Sequence, residues 1–141
     1  MVEPSKEISI AYTQKSHKSL SSAKILYKAG NIDDSVAMAY YAMYHALLSL
    51  LFLIGIKCEN HSAAIIMLKS IFGIDSSAIS SAKAERVDKQ YYVDFSVSRG
   101  EVGEAIRSAE DFIADITDFT QKINNPDVAR YQSIAEELIK G

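Results

Sequence analysis

The sequence predicts an all-α protein: an up-and-down bundle of four to five helices with a short helix at its C-terminal end. Three observations predict it. From Ser35 to Ile56 there is no Lys, Arg, Asp or Glu, and the stretch Asp33–Ile56 (DDSVAMAYYAMYHALLSLLFLIGI) is apolar on nearly every face. A helix of that kind must be surrounded. Around it lie segments whose apolar residues recur at spacings of three and four, so each needs a partner for one face. Finally, 48% of residues are hydrophobic while Pro and Gly number only 2 and 6, which favours long helices and short turns.

The first helix is predicted over about Lys6–Ala29. Ser5 is its candidate N-cap and Gly30 its stop. Its apolar positions are Ile8, Ala11, Tyr12, Leu20, Ala23, Leu26 and Tyr27, with a gap at Gln14–Lys18. Lys6, Lys15, Lys18, Lys24 and Lys28 stand against Glu7 alone, and this basic side reads as a solvated face.

The central helix opens at Asn31–Asp34, where Asp33 and Asp34 suit its positive end. Roughly 20 uncharged residues can span a bilayer. Here, however, His45 and Ser49 fall mid-run, and Tyr40, Tyr41 and Tyr44 lie far from the interfaces that tyrosine prefers in membranes. The reading is therefore a buried bundle helix with no membrane contact. Tyr41 and His45, four apart, share one face; Tyr40, Tyr44, Leu47 and Leu51 form the neighbouring stripe.

A third helix is predicted over about His61–Phe72, capped by Asn60 and ended by Gly73. Asp75–Ser81 is small and polar and reads as a turn. A fourth helix follows over about Ala82–Asp94, carrying Arg86, Gln90, Tyr91 and Tyr92. Ser98-Arg99-Gly100-Glu101 fits the capping-box pattern and opens the clearest amphipathic helix, with Val102, Ala105, Ile106, Ala109, Phe112, Ile113, Ile116, Phe119 and Ile123 inward. Its outer face is acidic: Glu101, Glu104, Glu110, Asp111, Asp115 and Asp118 against Arg107. After Asn124-Asn125-Pro126 a last helix spans about Asp127–Lys140, with Val128, Tyr131, Ala135 and Leu138 on one side. Residues 1–141 read as one domain, with a core over about 6–123 and the helix 127–140 added to it.

Composition excludes several functions. A net charge of −3 gives no general basic character for nucleic acid. The lone Cys58 excludes an internal disulfide and suits a reducing cytoplasm, the expected location. The start, MVEPSKEISIAY, lacks the apolar core of a signal peptide. Cys58 and His61 have C-x-x-H spacing, but a zinc site needs about four ligands and the other histidines are only His17 and His45. No phosphate-cradling glycine loop is present. No metal, cofactor or catalytic residue is expected.

Ala39–Leu51 (AYYAMYHALLSLL), followed by Ile54-Gly55 and then His61, resembles the HEPN domain, in its small stand-alone prokaryotic branch. Ser21–Asn31 (SSAKILYKAGN), Arg86–Tyr91 (RVDKQY) and Ala109–Ile116 (AEDFIADI) extend the resemblance over about residues 10–123. It implies a helical bundle, usually a homodimer. It implies one of two kinds of work: a metal-independent RNase, often a toxin paired with a small nucleotidyltransferase, or a nucleotide-binding accessory subunit beside such an enzyme. Nuclease members carry an arginine, four to six residues, then a histidine. Here Arg86 is followed at those offsets by Tyr91, Tyr92 and Val93, and Arg99 and Arg107 by no histidine at all. RNase chemistry needs a His to move a proton and an Arg to meet charge on phosphate. The resemblance thus implies a non-catalytic nucleotide-binding or nucleotidyltransferase-associated protein of a toxin–antitoxin-like module, with Tyr41, His45, His61, Arg86 and Tyr91 as candidate ligand residues. The alternatives are an RNase with a degenerate site, built on an Arg86–His45 or Arg86–His61 pair assembled in space, and a dimeric scaffold without ligand.

Overall fold

The computed structural model describes residues 1–91 and 98–141, with side chains for 1–86 and 98–141. Among the described residues there are six helices: α1 (Lys6–Lys28), α2 (Ile32–Ile54), α3 (His61–Phe72), α4 (Ser77–Tyr91), α5 (Arg99–Gln121) and α6 (Asn125–Lys140). The protein is an all-α bundle.

α2 is the axis. Fifteen of its residues are buried, among them Tyr40, Leu47, Leu50, Leu51 and Ile54 at 0% exposure. It is long and apolar enough to cross a membrane, yet 72% of its most apolar window is covered by the rest of the chain. It ends where Gly55 takes a left-handed conformation, φ 93°. The N-terminal strap crosses that end: Val2 N–H donates to the Gly55 carbonyl at 2.8 Å and Ser5 N–H to that of Phe52 at 3.0 Å.

α1 packs antiparallel along α2, and here the expected face is wrong in detail. The buried residues of α1 are Ser9, Ser16, Ser19 and Ala23, whereas Ile8 and Ala11 are exposed. Ser9 Oγ meets Ser49 Oγ at 3.0 Å, Ser16 Oγ donates to the Ala42 carbonyl at 2.7 Å, and Ser35 Oγ donates to the Ala23 carbonyl at 2.7 Å. The partners advance seven residues at a time on α1 while retreating seven on α2, the repeat of a helix–helix seam. Thr13 joins it, its Oγ1 2.8 Å from Ser49 Oγ. A hydroxyl one carbon from the backbone reaches the facing carbonyl only where two helices run close. Small residues permit that approach, and the hydrogen bonds satisfy the polar groups it buries.

α5 lies against α1 and α2 as its pattern predicts, with Val102, Ile106, Ala109, Phe112, Ile113 and Ile116 buried and its six acids exposed. Ser98 Oγ accepts from Glu101 N–H at 3.1 Å. A salt bridge of 3.4 Å joins Lys24 to Glu110 across to α1. α3 spans the predicted range, capped by Asn60 Oδ1, which accepts from Ala63 N–H at 2.9 Å.

α4 begins at Ser77, so the expected turn over Asp75–Ser81 is largely helix. Two features start it early. Asp75 accepts from the Ser77 backbone and hydroxyl, each at 3.0 Å, bonds that hold its carboxyl below the usual range. Ile79, fully buried, then anchors the first turn. The predicted end at Asp94 lies outside the described residues.

α6 opens on a capping box: Asn124 Oδ1 accepts from Asp127 N–H at 2.9 Å and Asp127 Oδ2 from Asn124 N–H at 3.0 Å. Tyr131 and Ala135 enter the common core, packed on α2 and α3, while Leu138, expected inward, is 49% exposed. The Gln132 amide donates to the Ile54 carbonyl at 3.0 Å.

Candidate functional site

One turn of α2 carries Tyr40, Tyr41 and Tyr44 toward the start of α3 and the middle of α4. In an otherwise apolar helix these phenols bring hydroxyls that must find partners once buried. Tyr40 is 0% exposed, and its hydroxyl lies 2.7 Å from His61 Nδ1. His61 occupies the first position of α3, fixed by the Asn60 cap, and its ring stacks on Tyr44 with centroids 3.8 Å apart and planes at 17°.

Arg86 arrives from α4. Its Nη1 donates to the Tyr41 hydroxyl at 2.9 Å, and its guanidinium lies 5.4 Å from the Tyr40 ring centre and 5.5 Å from that of Tyr41. Such placement over aromatic faces is favourable for a cation. One turn earlier on α4, Lys83 Nζ donates to the Ser62 hydroxyl.

The electrostatics follow from this crowding. Burial lowers the pKa of His61, and the Arg86 and Lys83 cations lower it further. Burial, with Tyr44 beside it, pushes Tyr40 up to about 12 although Arg86 pulls the other way. Tyr44 is raised by burial, then by Cys58 and Tyr12. At neutral pH the Tyr40 and Tyr44 phenols and the His61 imidazole are therefore neutral, beside the Lys83 and Arg86 side chains. Tyr41, His61, Lys83 and Arg86 are all partly open to solvent. The arrangement offers N–H donors beside aromatic faces, which suits a phosphate ester carried on a base.

Of the sequence candidates, Tyr41 and Arg86 touch directly, and His61 joins them through Tyr40. His45 does not join: it faces α1, its ring 6.0 Å from that of Tyr12, which stacks on Phe52 at 5.3 Å. No hydrogen bond links His45 to Tyr41 among the described residues, and its buried Nδ1 has no partner there. Burial, then Lys15 and His61, push its pKa down to about 4. The side chain of Tyr91, the last residue of α4, lies outside those described. Tyr40, Tyr44 and Lys83 were not among the sequence candidates. The signal that could have found the tyrosines is the phenol pair at i, i+4 inside an uncharged helix.

No group of three His, Cys, Asp or Glu among the described residues could hold a metal ion. A groove of about 800 Å³ lies elsewhere, between α1, α5 and α6, lined by Ser9, Thr13, Thr117, Gln121 and Gln132 among others.

Comparison with known proteins agrees with this architecture. The HEPN domain family model matches residues 11–119. A UPF0332 protein of Pyrococcus horikoshii is 42% identical over 72 residues, which is 51% of this chain and 46% of that relative. The match thus spans about half of that relative's length.

Proposed function

This chain belongs to the HEPN domain family, and from that premise we propose that it is a non-catalytic nucleotide-binding member, the accessory subunit of a small nucleotidyltransferase. One observation carries the reading. Arg86 bonds the partly open Tyr41, His61 bonds Tyr40 beneath them, and Lys83 lies close enough to His61 to act on its charge, so cationic and neutral N–H donors sit next to an aromatic face. Arg meets phosphate oxygens with a rigid fork, and a phenol face accepts a base.

Titration calorimetry with AMP, ATP and inorganic phosphate tests it. The unaltered protein binds a nucleotide, and Arg86→Gln weakens that binding about tenfold or more, the scale of one lost charge-assisted contact. A protein that takes up heat from none of the three at millimolar concentration would not fit the reading. Co-purification from its own host, with a nucleotidyltransferase recovered or absent, tests the partner. The homodimer that the family implies is part of the proposal; monomeric sedimentation at micromolar concentration counts against it.

A second reading rests on the same geometry. Although no histidine follows Arg86 at nuclease spacing, the fold sets Arg86 near enough to His61 to depress its pKa. An RNase would use that neutral imidazole as its base. Cleavage of a labelled oligoribonucleotide, abolished by His61→Ala, decides for it.

A further inference from the structure

We infer that Tyr40 is a positioning residue that holds His61 in the tautomer with hydrogen on Nε2, so that His61 presents an N–H donor, not a lone pair, to a phosphoryl oxygen at the Arg86 site. The inference deepens the nucleotide-binding reading and rests on it for the identity of the ligand.

Two independent arguments fix the direction of the 2.7 Å bond between Tyr40 Oη and His61 Nδ1. The first is acidity. A phenol O–H is far more acidic than the N–H of a neutral imidazole, and an imidazole lone pair is far more basic than a phenol oxygen, so the stronger bond runs from O–H to nitrogen. The second is satisfaction. Tyr40 is completely buried, and its hydroxyl bonds no other described residue. If Nδ1 carried the hydrogen, the Tyr40 O–H would be left in the core with no acceptor, a penalty that buried polar groups avoid. With Tyr40 as donor, both atoms are satisfied.

The consequences follow from covalent structure. A neutral imidazole has one N–H. Once Nδ1 accepts, Nε2 carries the hydrogen and cannot also accept a proton. Nε2 has no bond to any described residue, and His61 is partly open to solvent. The ring cannot turn over to exchange its nitrogens without breaking the Tyr40 bond and its stack on Tyr44. Burial and the Arg86 and Lys83 cations of α4 favour its neutral form, and the other titratable groups that face it are Tyr40, Tyr44 and His45 of α2. His61 is therefore a fixed, uncharged donor standing next to charged ones. That combination recognises an anionic oxygen. It is the wrong one for a general base, which needs a free lone pair directed at the substrate.

Two substitutions at His61 separate these roles. A glutamine places its amide nitrogen near the Nε2 position, and an asparagine places its own near Nδ1. Both variants are expected to lose AMP affinity, His61→Gln the less and His61→Asn about tenfold. Equal losses in both would overturn the donor assignment. Long-range proton–nitrogen NMR of histidine-labelled protein reads the tautomer directly. The unaltered protein should show hydrogen on Nε2 alone. In Tyr40→Phe, which keeps the ring and its packing, the His61 titration should move to higher pH, because a bond that favoured the neutral form is gone. Hydrogen on Nδ1, or an unmoved titration in Tyr40→Phe, overturns the inference. If the spectra behave as expected but no nucleotide binds, the nucleotide reading falls while the Tyr40–His61 arrangement stands.

Discussion

His45 sits half-buried beneath α1, its Nδ1 enclosed and without a partner among the described residues. Its pKa falls from an ordinary 6.5 to about 4, chiefly through burial. Below pH 6.5 the unfolded chain takes up a proton that the folded one refuses. The stability this side chain confers is therefore complete above 6.5, and it is lost as pH falls from 6.5 toward 4. His61 contributes in the same direction. Because His45 is still partly open to solvent, the loss is discounted to about 1 kcal/mol. Thermal melts at pH 7.5, 6 and 4.5 check it: His45→Gln should flatten the decline, and an unchanged profile in that variant would sink the assignment. Gly55 makes a second prediction. At φ 93° a side chain is strained by about 1–2 kcal/mol. A Cβ there would also overlap the Val2 carbonyl and press on Pro4. Gly55→Ala should lower the melting temperature and release the N-terminal strap, seen as faster amide exchange at Val2 and Ser5.

Between α1 and α2 the stabilising device is a seam of small residues at seven-residue steps, and its energetics differ from those of an aliphatic core. Ser16 is 1% exposed and donates to the Ala42 carbonyl across the seam. Ser16→Ala keeps the close approach and removes one hydrogen bond, a loss of about 1 kcal/mol. Ser16→Leu must push the helices apart and should cost about 3 kcal/mol, the upper range of overpacking. Urea midpoints of the two variants measure the difference; a leucine tolerated as well as alanine would mean the helices are not in fact close. The seam also explains what the sequence could and could not reveal. α5 was legible because its buried face is apolar and its outer face acidic, so burial and hydropathy coincide. On α1 they diverge: serine looks like surface, and Ile8, at 41% exposure, looks like core. The early start of α4 was hidden because a single buried residue, Ile79, anchors a run of Ser and Ala. At the site, Tyr41, His61 and Arg86 were legible through the family resemblance. The Tyr40–His61 bond was not, since it joins residues 21 apart through a tertiary contact.

At the scale of the molecule, one connected set of buried residues draws on every helix: Ala23 from α1, most of α2, Ala64 to Phe72 from α3, Ile79 from α4, Val102 to Ile116 from α5, and Tyr131 and Ala135 from α6. A chain whose elements share one core should unfold as one unit. The test falls on α6, the helix whose attachment the sequence left open. Its anchor is Tyr131, whose ring lies 4.9 Å from Phe72 and 6.1 Å from Phe119, so that one side chain ties α6 to both α3 and α5. Tyr131→Ala removes that tie and should cost about 3 kcal/mol, as other buried aromatic truncations do. The form of the loss matters more than its size. If α6 belongs to the common core, urea unfolding followed by helical circular dichroism and by tyrosine fluorescence gives coincident transitions, and Tyr131→Ala moves both to lower urea with the same slope. If α6 docks on an independently stable bundle, the variant instead loses a fraction of its helical signal at low urea while the main transition stays in place. The second pattern would show that the bundle stands without its last helix and would free α6 for another partner. The Gln132 bond to the end of α2 and the capping box at Asn124 argue for the first.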